Sequence, residues 1–238
     1  MVKLLREVNV RLLRACAFSG LLLFLCMPRP SYGQLAQGLG LQDSGRLELH
    51  NVTQEHVTYR GRTAVRVVDT GASDLGDAGR LAILRGSSFQ DGTIEVDLTG
   101  DTAPGAPEEF RGFVGLAFRV SSDPVRFECF YLRPKNGRSI DQLQRNHSAQ
   151  YISLPGFPWQ KLRSESPGKY ESYVDLIPGQ WTHVKIQVAG TNARLYVNGA
   201  EQPSLVVNDL KQPLSKGAIA LWIGPGTIAH FSSLKVTP

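Results

Sequence analysis

Cysteine is scarce in this sequence, and its distribution excludes several classes of protein. Of three cysteines in 238 residues, Cys16 and Cys26 lie in an N-terminal apolar segment. Residues 34–238 keep Cys129 alone, so no disulfide can form within them, and no zinc-type spacing of Cys and His occurs. Among apolar neighbours, Cys129 is expected to be a core residue rather than a nucleophile. An apolar core must therefore stabilise these 205 residues, which are enough to build one.

The first 33 residues have the features of a secretory signal peptide. Four basic residues precede an apolar run of 13 residues, Ala15 to Met27, and the small residues Ser31 and Gly33 lie three and one positions before Gln34. The run is too short to span a membrane as a helix. The sequence therefore predicts cleavage before Gln34 and a secreted or periplasmic location, with no membrane attachment after the signal is removed.

Excess charge of either sign is also missing from the predicted mature chain. Residues 1–33 hold five of the 26 Lys and Arg and one of the 21 Asp and Glu, which leaves 21 basic and 20 acidic residues. We therefore expect no nucleic-acid partner, since nucleic-acid binding depends on basic patches. No phosphate-binding glycine loop, nucleophile elbow or dinucleotide motif occurs, so no organic cofactor is expected. The oligomeric state is left open.

Apolar residues with helical spacing are missing from residues 34–238, and alternation takes their place. In segments such as 94–98 and 184–188, apolar and polar residues alternate with the period of two that is typical of a strand with one buried face. Asn198-Gly199 supplies the positive backbone angles that tight hairpins need. About a dozen short strands in one chain predict an all-β fold, a two-sheet antiparallel sandwich.

No internal repeat or linker divides the predicted strands. Residues 34–45, QLAQGLGLQDSG, are rich in Gly and Gln and are predicted to form a flexible lead-in. The strand pattern begins at Arg46. We therefore predict a signal peptide over 1–33, the lead-in over 34–45 and a single domain over 46–238.

Several segments resemble the concanavalin A-like (laminin G-like) jelly rolls, and in particular the bacterial domains named for 3-keto-disaccharide hydrolase. They are FVGLAFRV (113–120), FYLRPKNGR (130–138), GQWTHVKIQV (179–188), LYVNGA (195–200) and GAIALWIGPGTIAHFSSLKV (217–236). The resemblance implies a secreted jelly roll of the concanavalin A-like type that handles saccharides. The hydrolase name implies cleavage of 3-keto-glycosides, in which a general base would remove a C–H proton that the keto group has acidified.

A long irregular segment is the predicted binding region. The 46 residues between Arg133 and Gln180 contain at most two modest strands, near 149–154 and 170–176, yet they carry five aromatic residues, too many for ordinary disorder. Guanidinium and amide groups suit sugar hydroxyls, which both donate and accept, and aromatic rings suit the apolar face of a sugar. The predicted carbohydrate-binding residues are Tyr131, Arg133, Asn136, Arg138, Gln142, Arg145, Asn146, Tyr151 and Trp159.

The same polar residues allow other interpretations. Arg133, Asp141 and Arg145 could form a structural ion network that fixes the loop. If the protein is an enzyme, the candidate general bases are His147, Asp141 and His183, in that order. Otherwise it is a non-catalytic carbohydrate-binding module, or a protein-interaction or adhesion module that uses the same face.

Two acidic patterns are candidates for further sites. Glu95 and Asp97 resemble part of the acidic strand motif of laminarinase-type glycosidases, but Thr99 replaces the further Glu of that motif, so the catalytic set is incomplete. In DTGASDLGD, residues 69–77, the carboxylates of Asp69, Asp74 and Asp77 form a candidate calcium loop.

Overall fold

The computed structural model describes residues 37–38, 40–41, 43–71 and 79–238, so the predicted signal peptide lies outside the described residues. Within them the chain forms fifteen strands and two short α-helices. The strands are β1 (Gln37–Gly38), β2 (Leu47–His50), β3 (Val52–Tyr59), β4 (Arg62–Asp69), β5 (Leu81–Leu84), β6 (Gly92–Thr102), β7 (Val114–Val120), β8 (Phe127–Leu132), β9 (Ala149–Leu154), β10 (Glu171–Ser172), β11 (Thr182–Ala189), β12 (Asn192–Val197), β13 (Leu205–Val207), β14 (Ala218–Ile223) and β15 (Thr227–Thr237), and the helices are α1 (Gln142–Asn146) and α2 (Trp159–Glu165).

The strands pair into two antiparallel sheets. Sheet I has the order β13-β12-β11-β6-β15-β4-β3, with β1 paired to β15, and sheet II has the order β10-β9-β8-β7-β14-β5-β2. Strands from distant parts of the sequence are neighbours: β6 lies between β11 and β15, and β14 lies between β7 and β5. This arrangement confirms the predicted all-β, two-sheet antiparallel jelly-roll sandwich.

Sheet I shows the one-sided burial that its sequence predicts. On β11, Val184, Ile186 and Val188 are buried, while His183 and Lys185 on the opposite face are partly exposed. The chain turns into β12 through Gly190 and Thr191, with Gly190 at φ +59°. Asn198 and Gly199 also have the predicted positive φ, of 52° and 73°, although they open a longer connection to β13 rather than a two-residue hairpin.

Sheet II is covered on both faces, which its alternation did not reveal. Every residue of β7, β8 and β9 is buried. In the sequence of β14, Ile219, Leu221 and Ile223 alternate with Ala218, Ala220 and Trp222, so a period of two predicts that Trp222 lies opposite the buried face. Trp222 is nevertheless 1% exposed, with its ring centroid 4.7 Å from that of Tyr131. Phe113, just before β7, packs edge-on against Tyr131 at 6.1 Å. Cys129 is buried as expected.

The long segment after Arg133 is ordered and belongs to sheet II. The predicted strand at 149–154 is β9, and the predicted strand near 170–176 is reduced to the two residues of β10. The two short helices of the described chain, α1 and α2, both lie in this segment, where the sequence showed no helical stripe. Leu162 of α2 is buried and α2 packs against β9, so tertiary contact stabilises a helix too short to form alone.

Part of the lead-in contributes to the sandwich. Gln37 and Gly38 pair with Val236 and Lys235 of β15, and Leu41 is buried in the core. No helix among the described residues is both long and apolar enough to cross a membrane.

His230 on β15 is a buried imidazole outside the long segment. Its ring stacks on Tyr59, with centroids 3.7 Å apart and planes inclined by 10°, and its Nδ1 lies 3.1 Å from Thr99 Oγ1. Burial, together with the positive charge of Arg66, lowers the pKa of His230 to about 4 from 6.5, and the carboxylate of Glu55 only partly opposes this.

Acidification should therefore destabilise the fold through His230. Because the folded pKa lies below the unfolded one, the contribution is complete above pH 6.5 and is lost as the pH falls towards about 4. Between pH 6.5 and about 4, we expect the free energy of unfolding of the parent protein to fall by about 2 kcal/mol more than that of His230→Gln, allowing for partial solvent screening. Urea denaturation at several pH values measures this, and the exposed His56→Gln is the control. A profile as steep in His230→Gln as in the parent protein would contradict the assignment.

Candidate functional site

Two cavities are lined by residues of the long segment between Arg133 and Gln180, the predicted binding region. The larger has a volume of about 520 Å³ and is lined by Leu143, Asn146, His147, Arg163, Pro167, Gly168, Glu171, Ser172 and Tyr173. The smaller has a volume of about 230 Å³ and is lined by Glu109, Arg111, Phe113, Arg133, Asn136, Gln144, His147, Trp159 and Arg163. His147 and Arg163 line both cavities, so the two adjoin, and together they are called the loop site.

A third cavity has a different character. It has a volume of about 510 Å³ and lies beside β5 and the end of β7, where its lining includes Glu48, Arg85 and Lys216. None of its described lining residues is aromatic. The loop site combines aromatic rings with convergent polar groups, which is the usual character of a ligand site, so it is the candidate functional site.

Glu171 joins the polar groups at the centre of the loop site. Its carboxylate accepts from Arg163, with Nη2 at 2.7 Å and Nε at 3.1 and 3.2 Å, and His147 Nε2 lies 3.1 Å away. The Glu171 side chain is only 5% exposed. Burial lowers the pKa of His147, the positive charges of Arg163 and Arg133 lower it further, and the negative charge of Glu171 opposes them. The net lowering of its pKa favours the neutral form of the His147 imidazole.

Arg133 fixes the floor of the smaller cavity. Its guanidinium donates to the His147 carbonyl at 2.9 Å, to the Tyr131 hydroxyl at 2.7 Å and to the Gln150 amide oxygen at 3.3 Å. Asn136 Nδ2 donates to the same His147 carbonyl at 3.3 Å. These bonds hold the backbone at His147 in place, and both Arg133 and Asn136 are buried.

Helix α1 forms part of the wall of the larger cavity, through Leu143 and Asn146. Asp141 is its N-cap, accepting from the amides of Leu143 at 2.8 Å and Gln144 at 3.4 Å. The Arg145 guanidinium lies over the Tyr173 ring at 5.0 Å, and its Nη2 donates to the Tyr173 hydroxyl at 3.0 Å. Asp141 thus has a structural task, and its carboxylate does not line either cavity.

The backbone at Gly137 lies directly against Leu176, and this contact joins two sides of the loop site. A Cβ added to Gly137, before α1, would lie 2.7 Å from the Cβ of Leu176, which follows β10. Only glycine fits there without displacing the backbone of Leu176. The α1 side and the β10 side of the loop site are therefore packed directly against each other.

Two of the predicted binding residues are buried in the packing of sheet II, on opposite faces of it. Tyr131 is 1% exposed between Phe113 and Trp222, and Tyr151 is fully buried. The Tyr151 hydroxyl donates to Glu128 at 2.5 Å and accepts from the Lys211 amide at 2.9 Å. Burial raises the pKa of the Glu128 carboxyl. Neither tyrosine can stack on a sugar ring, because both rings are buried against other side chains of sheet II.

The other predicted residues divide between the site and its surroundings. Arg133, Asn136, Asn146 and Trp159 line the cavities, and Trp159 has the guanidinium groups of Arg133 and Arg163 within 5.6 and 4.6 Å of its ring centroid. Arg145 contacts the lining through Tyr173. Gln142 is exposed and donates to Asn146 Oδ1 at 2.7 Å. Arg138 lies outside both cavities, in an exposed bidentate pair with Asp175.

His183 is not part of the loop site. It lies on β11 of sheet I, on the face opposite the core, whereas His147 immediately precedes Ser148 and β9 of sheet II. His183 Nδ1 is 2.9 Å from Asp97 Oδ1, and its Nε2 is 3.7 Å from Glu95 Oε2. Arg62 also donates to Asp97, at 2.8 Å. The structure thus groups Glu95, Asp97 and His183 on a sheet face, apart from the other candidate bases.

The candidate calcium loop is described only at Asp69. Asp74 and Asp77 lie outside the described residues. Asp69 Oδ1 accepts from Arg80 Nε at 2.8 Å and from the Gly71 amide at 3.1 Å, and Oδ2 accepts from the Gly226 amide at 2.8 Å. Protein donors thus occupy both oxygens of this carboxylate. No cluster of three or more metal-binding side chains occurs in the described ranges.

Several lining residues were not predicted from the sequence. Glu171, Arg163 and Tyr173 form much of the larger cavity, and Arg111 and Phe113 reach the smaller one from the connection between β6 and β7. Tyr173 counted only as one aromatic residue of a long loop. The high polar and aromatic content of the segment was the one signal that pointed towards them.

Comparisons with known proteins support the fold. No family model and no curated protein matches the sequence. Among solved structures, the chain is similar to carbohydrate-binding module CBM66 from Bacillus subtilis, with a TM-score of 0.50 and 14% identity over 80% of this chain and 98% of that one. It is also similar to a Bacillus subtilis protein of unknown function with a galectin-like fold, with a TM-score of 0.51 and 14% identity over 85% of this chain and 94% of that one. These likenesses confirm the resemblance to concanavalin A-like jelly rolls at the level of the fold.

Proposed function

We propose that the protein binds saccharides at the loop site. The observation that carries the proposal is the pair of adjoining cavities that share His147 and Arg163. The larger, at about 520 Å³, has the volume of an ordinary small-molecule site. The similarity of the fold to a carbohydrate-binding module and to a galectin-like protein supports this function without naming a sugar.

The chemistry of the lining suits a polyol. Arg163 donates, Glu171 accepts, and the Asn146 side chain can do both, which matches hydroxyl groups that donate and accept. The Tyr173 side chain, whose residue is 42% exposed, offers an aromatic face at the rim. A sugar in the larger cavity would place its apolar C–H face on Tyr173 and its hydroxyls towards Glu171 and Arg163.

A second candidate function is hydrolysis or elimination of 3-keto-glycosides, and the pairing of His147 with Glu171 favours it. The Glu171 carboxylate lies 3.1 Å from His147 Nε2, so a neutral ring that carries its proton on Nε2 would have its basic lone pair on Nδ1. A base of this kind could take the proton from the carbon next to the keto group while the glycosidic C–O bond breaks and the leaving group departs with its electrons. Water would then add to the resulting double bond.

One experiment separates these functions. The purified protein is tested for binding on a broad glycan array and for product release from 3-keto-glucosides and the unoxidised glucosides. We expect binding to a restricted set of glycans and no release. Release from the keto-sugars alone, lost about a hundredfold or more in His147→Gln, would establish the enzyme instead. If no glycan binds and nothing is released, recognition of a protein through this face becomes the better account.

A further inference from the structure

The smaller cavity of the loop site carries an excess of positive charge. Three of its lining residues are arginines, Arg111, Arg133 and Arg163. The one carboxylate among its described lining residues belongs to Glu109, which is exposed to solvent. Arg163 is paired with Glu171, whereas neither Arg111 nor Arg133 forms an ion pair with any residue that the structure describes.

Arg133 is buried, and no counter-ion faces it among the described residues. The residue is 5% exposed, and its three hydrogen bonds go to neutral acceptors, a carbonyl, a hydroxyl and an amide oxygen. In the part of the chain that the structure describes, no carboxylate lies within ion-pair distance of Arg133 or of Arg111, whose Nη1 donates to the carbonyls of Glu108 and Phe110. Buried charges in proteins are normally paired, so an anion fits here.

Asn136 adds an unused acceptor to the same cavity. The residue is 4% exposed, and its Nδ2 donates to the His147 carbonyl, which fixes the orientation of the amide. Its Oδ1 is buried and accepts no hydrogen bond within the described residues. A group that satisfied Oδ1 would have to be a donor, such as a hydroxyl.

We propose that the smaller cavity binds a uronic acid unit, a sugar that carries a carboxylate. The carboxylate accepts from Arg111 and from the remaining N–H groups of Arg133, and a ring hydroxyl donates to Asn136 Oδ1. Phe113 and Trp159 form the apolar part of the wall. A volume of about 230 Å³ suits one sugar ring, with the rest of a chain in the larger cavity. The inference rests on the saccharide binding proposed above and names its substrate class.

The test compares each acid with its neutral partner. Galacturonic acid and galactose, glucuronic acid and glucose, and acetate are titrated into the purified protein by calorimetry or ligand-observed NMR. We expect at least one uronate to bind about tenfold or more tighter than its neutral sugar and than acetate, and its binding to weaken with added salt. Arg111→Gln should reduce the preference to near unity. Arg126→Gln removes an equal charge from an exposed position outside both cavities and should preserve it.

The outcomes keep the two proposals distinguishable. Neutral sugars that bind as tightly as uronates would overturn the uronate inference and leave saccharide binding intact. Acetate binding as tight as uronate binding would overturn it too, because the sugar would then contribute nothing. If the preference for uronates persisted in Arg111→Gln, the carboxylate would not bind in this cavity, and the inference would be wrong. If neither these sugars nor any glycan on the array binds, both proposals fail together.

Discussion

Asp69→Asn is expected to lower the free energy of unfolding by about 3–5 kcal/mol, because it removes the negative charge from a buried ion pair and one of the two oxygens that accept hydrogen bonds there. The side chains of Arg80 and Asp69 are 5% and 7% exposed. The carboxylate also accepts from the Gly226 amide, so it ties the end of β4 to the turn that precedes β15. An amide in its place cannot accept at both positions. Against a typical stability of 5–15 kcal/mol, this loss is large.

Urea denaturation with and without calcium measures this effect. Asp175→Asn is the matched control, because it breaks an Asp–Arg pair whose side chains are more than half exposed, and we expect it to leave stability nearly unchanged. We expect the Asp69→Asn loss to be equal in calcium and in chelator. A calcium-dependent stabilisation of the parent protein that disappears in Asp69→Asn would instead assign Asp69 to a calcium site. Equal stabilities of the two variants would contradict the ion-pair account.

Tyr173→Ala is expected to weaken saccharide binding about 10- to 100-fold, with little change in stability. The ring forms the exposed aromatic face of the larger cavity, and truncating an aromatic side chain that stacks on a ligand commonly reduces affinity by this much. Because Tyr173 is 42% exposed, its removal opens no core cavity. The measurement is a calorimetric titration with the best ligand from the glycan array.

Tyr196→Ala is the matched control for this variant. Tyr196 lies on sheet I with the Lys185 ammonium 4.2 Å from its ring centroid, so it is also an aromatic ring under a cationic side chain. Its removal should leave affinity within about twofold of the parent protein, since the ring lies outside both cavities. Equal losses from the two variants would show that the effect does not belong to the loop site.

The fold could be predicted where strands present different faces to core and solvent. On β6 and β11, alternation identified the buried residues, since the other face of sheet I is open to water. The same reasoning failed for Trp222, because the loops over sheet II bury both faces of β14. Apolar and polar residues alternate along a strand only when one face of the strand is buried and the other is open to solvent. Both faces of β14 are buried, so alternation could not predict the burial of Trp222.

The position of the site could be predicted, but its composition could not. The density of polar and aromatic residues pointed to the segment that holds much of both cavities, and Arg133, Asn136, His147 and Trp159 line them. Glu171 does not belong to any local pattern: it meets His147 only because β10 pairs with β9. Contacts between residues distant in sequence leave no trace in spacing.

Tyr151 shows the opposite limit. An aromatic residue with a polar tip is equally suited to a binding surface and to a core that offers its hydroxyl a partner. The partner here is Glu128 on the neighbouring strand, and the register of β8 and β9 brings the two together. Residue type alone could not decide between these environments.

The contact between Gly137 and Leu176 means that the walls of the loop site are already in place in the ligand-free protein. If a saccharide binds there as proposed, we expect it to enter without a closing movement, because the entropy of ordering the walls has already been lost during folding. Stopped-flow traces should show a single phase whose rate rises linearly with sugar concentration, with no plateau from a slow rearrangement. Differences in affinity among sugars would then appear mainly as differences in residence time.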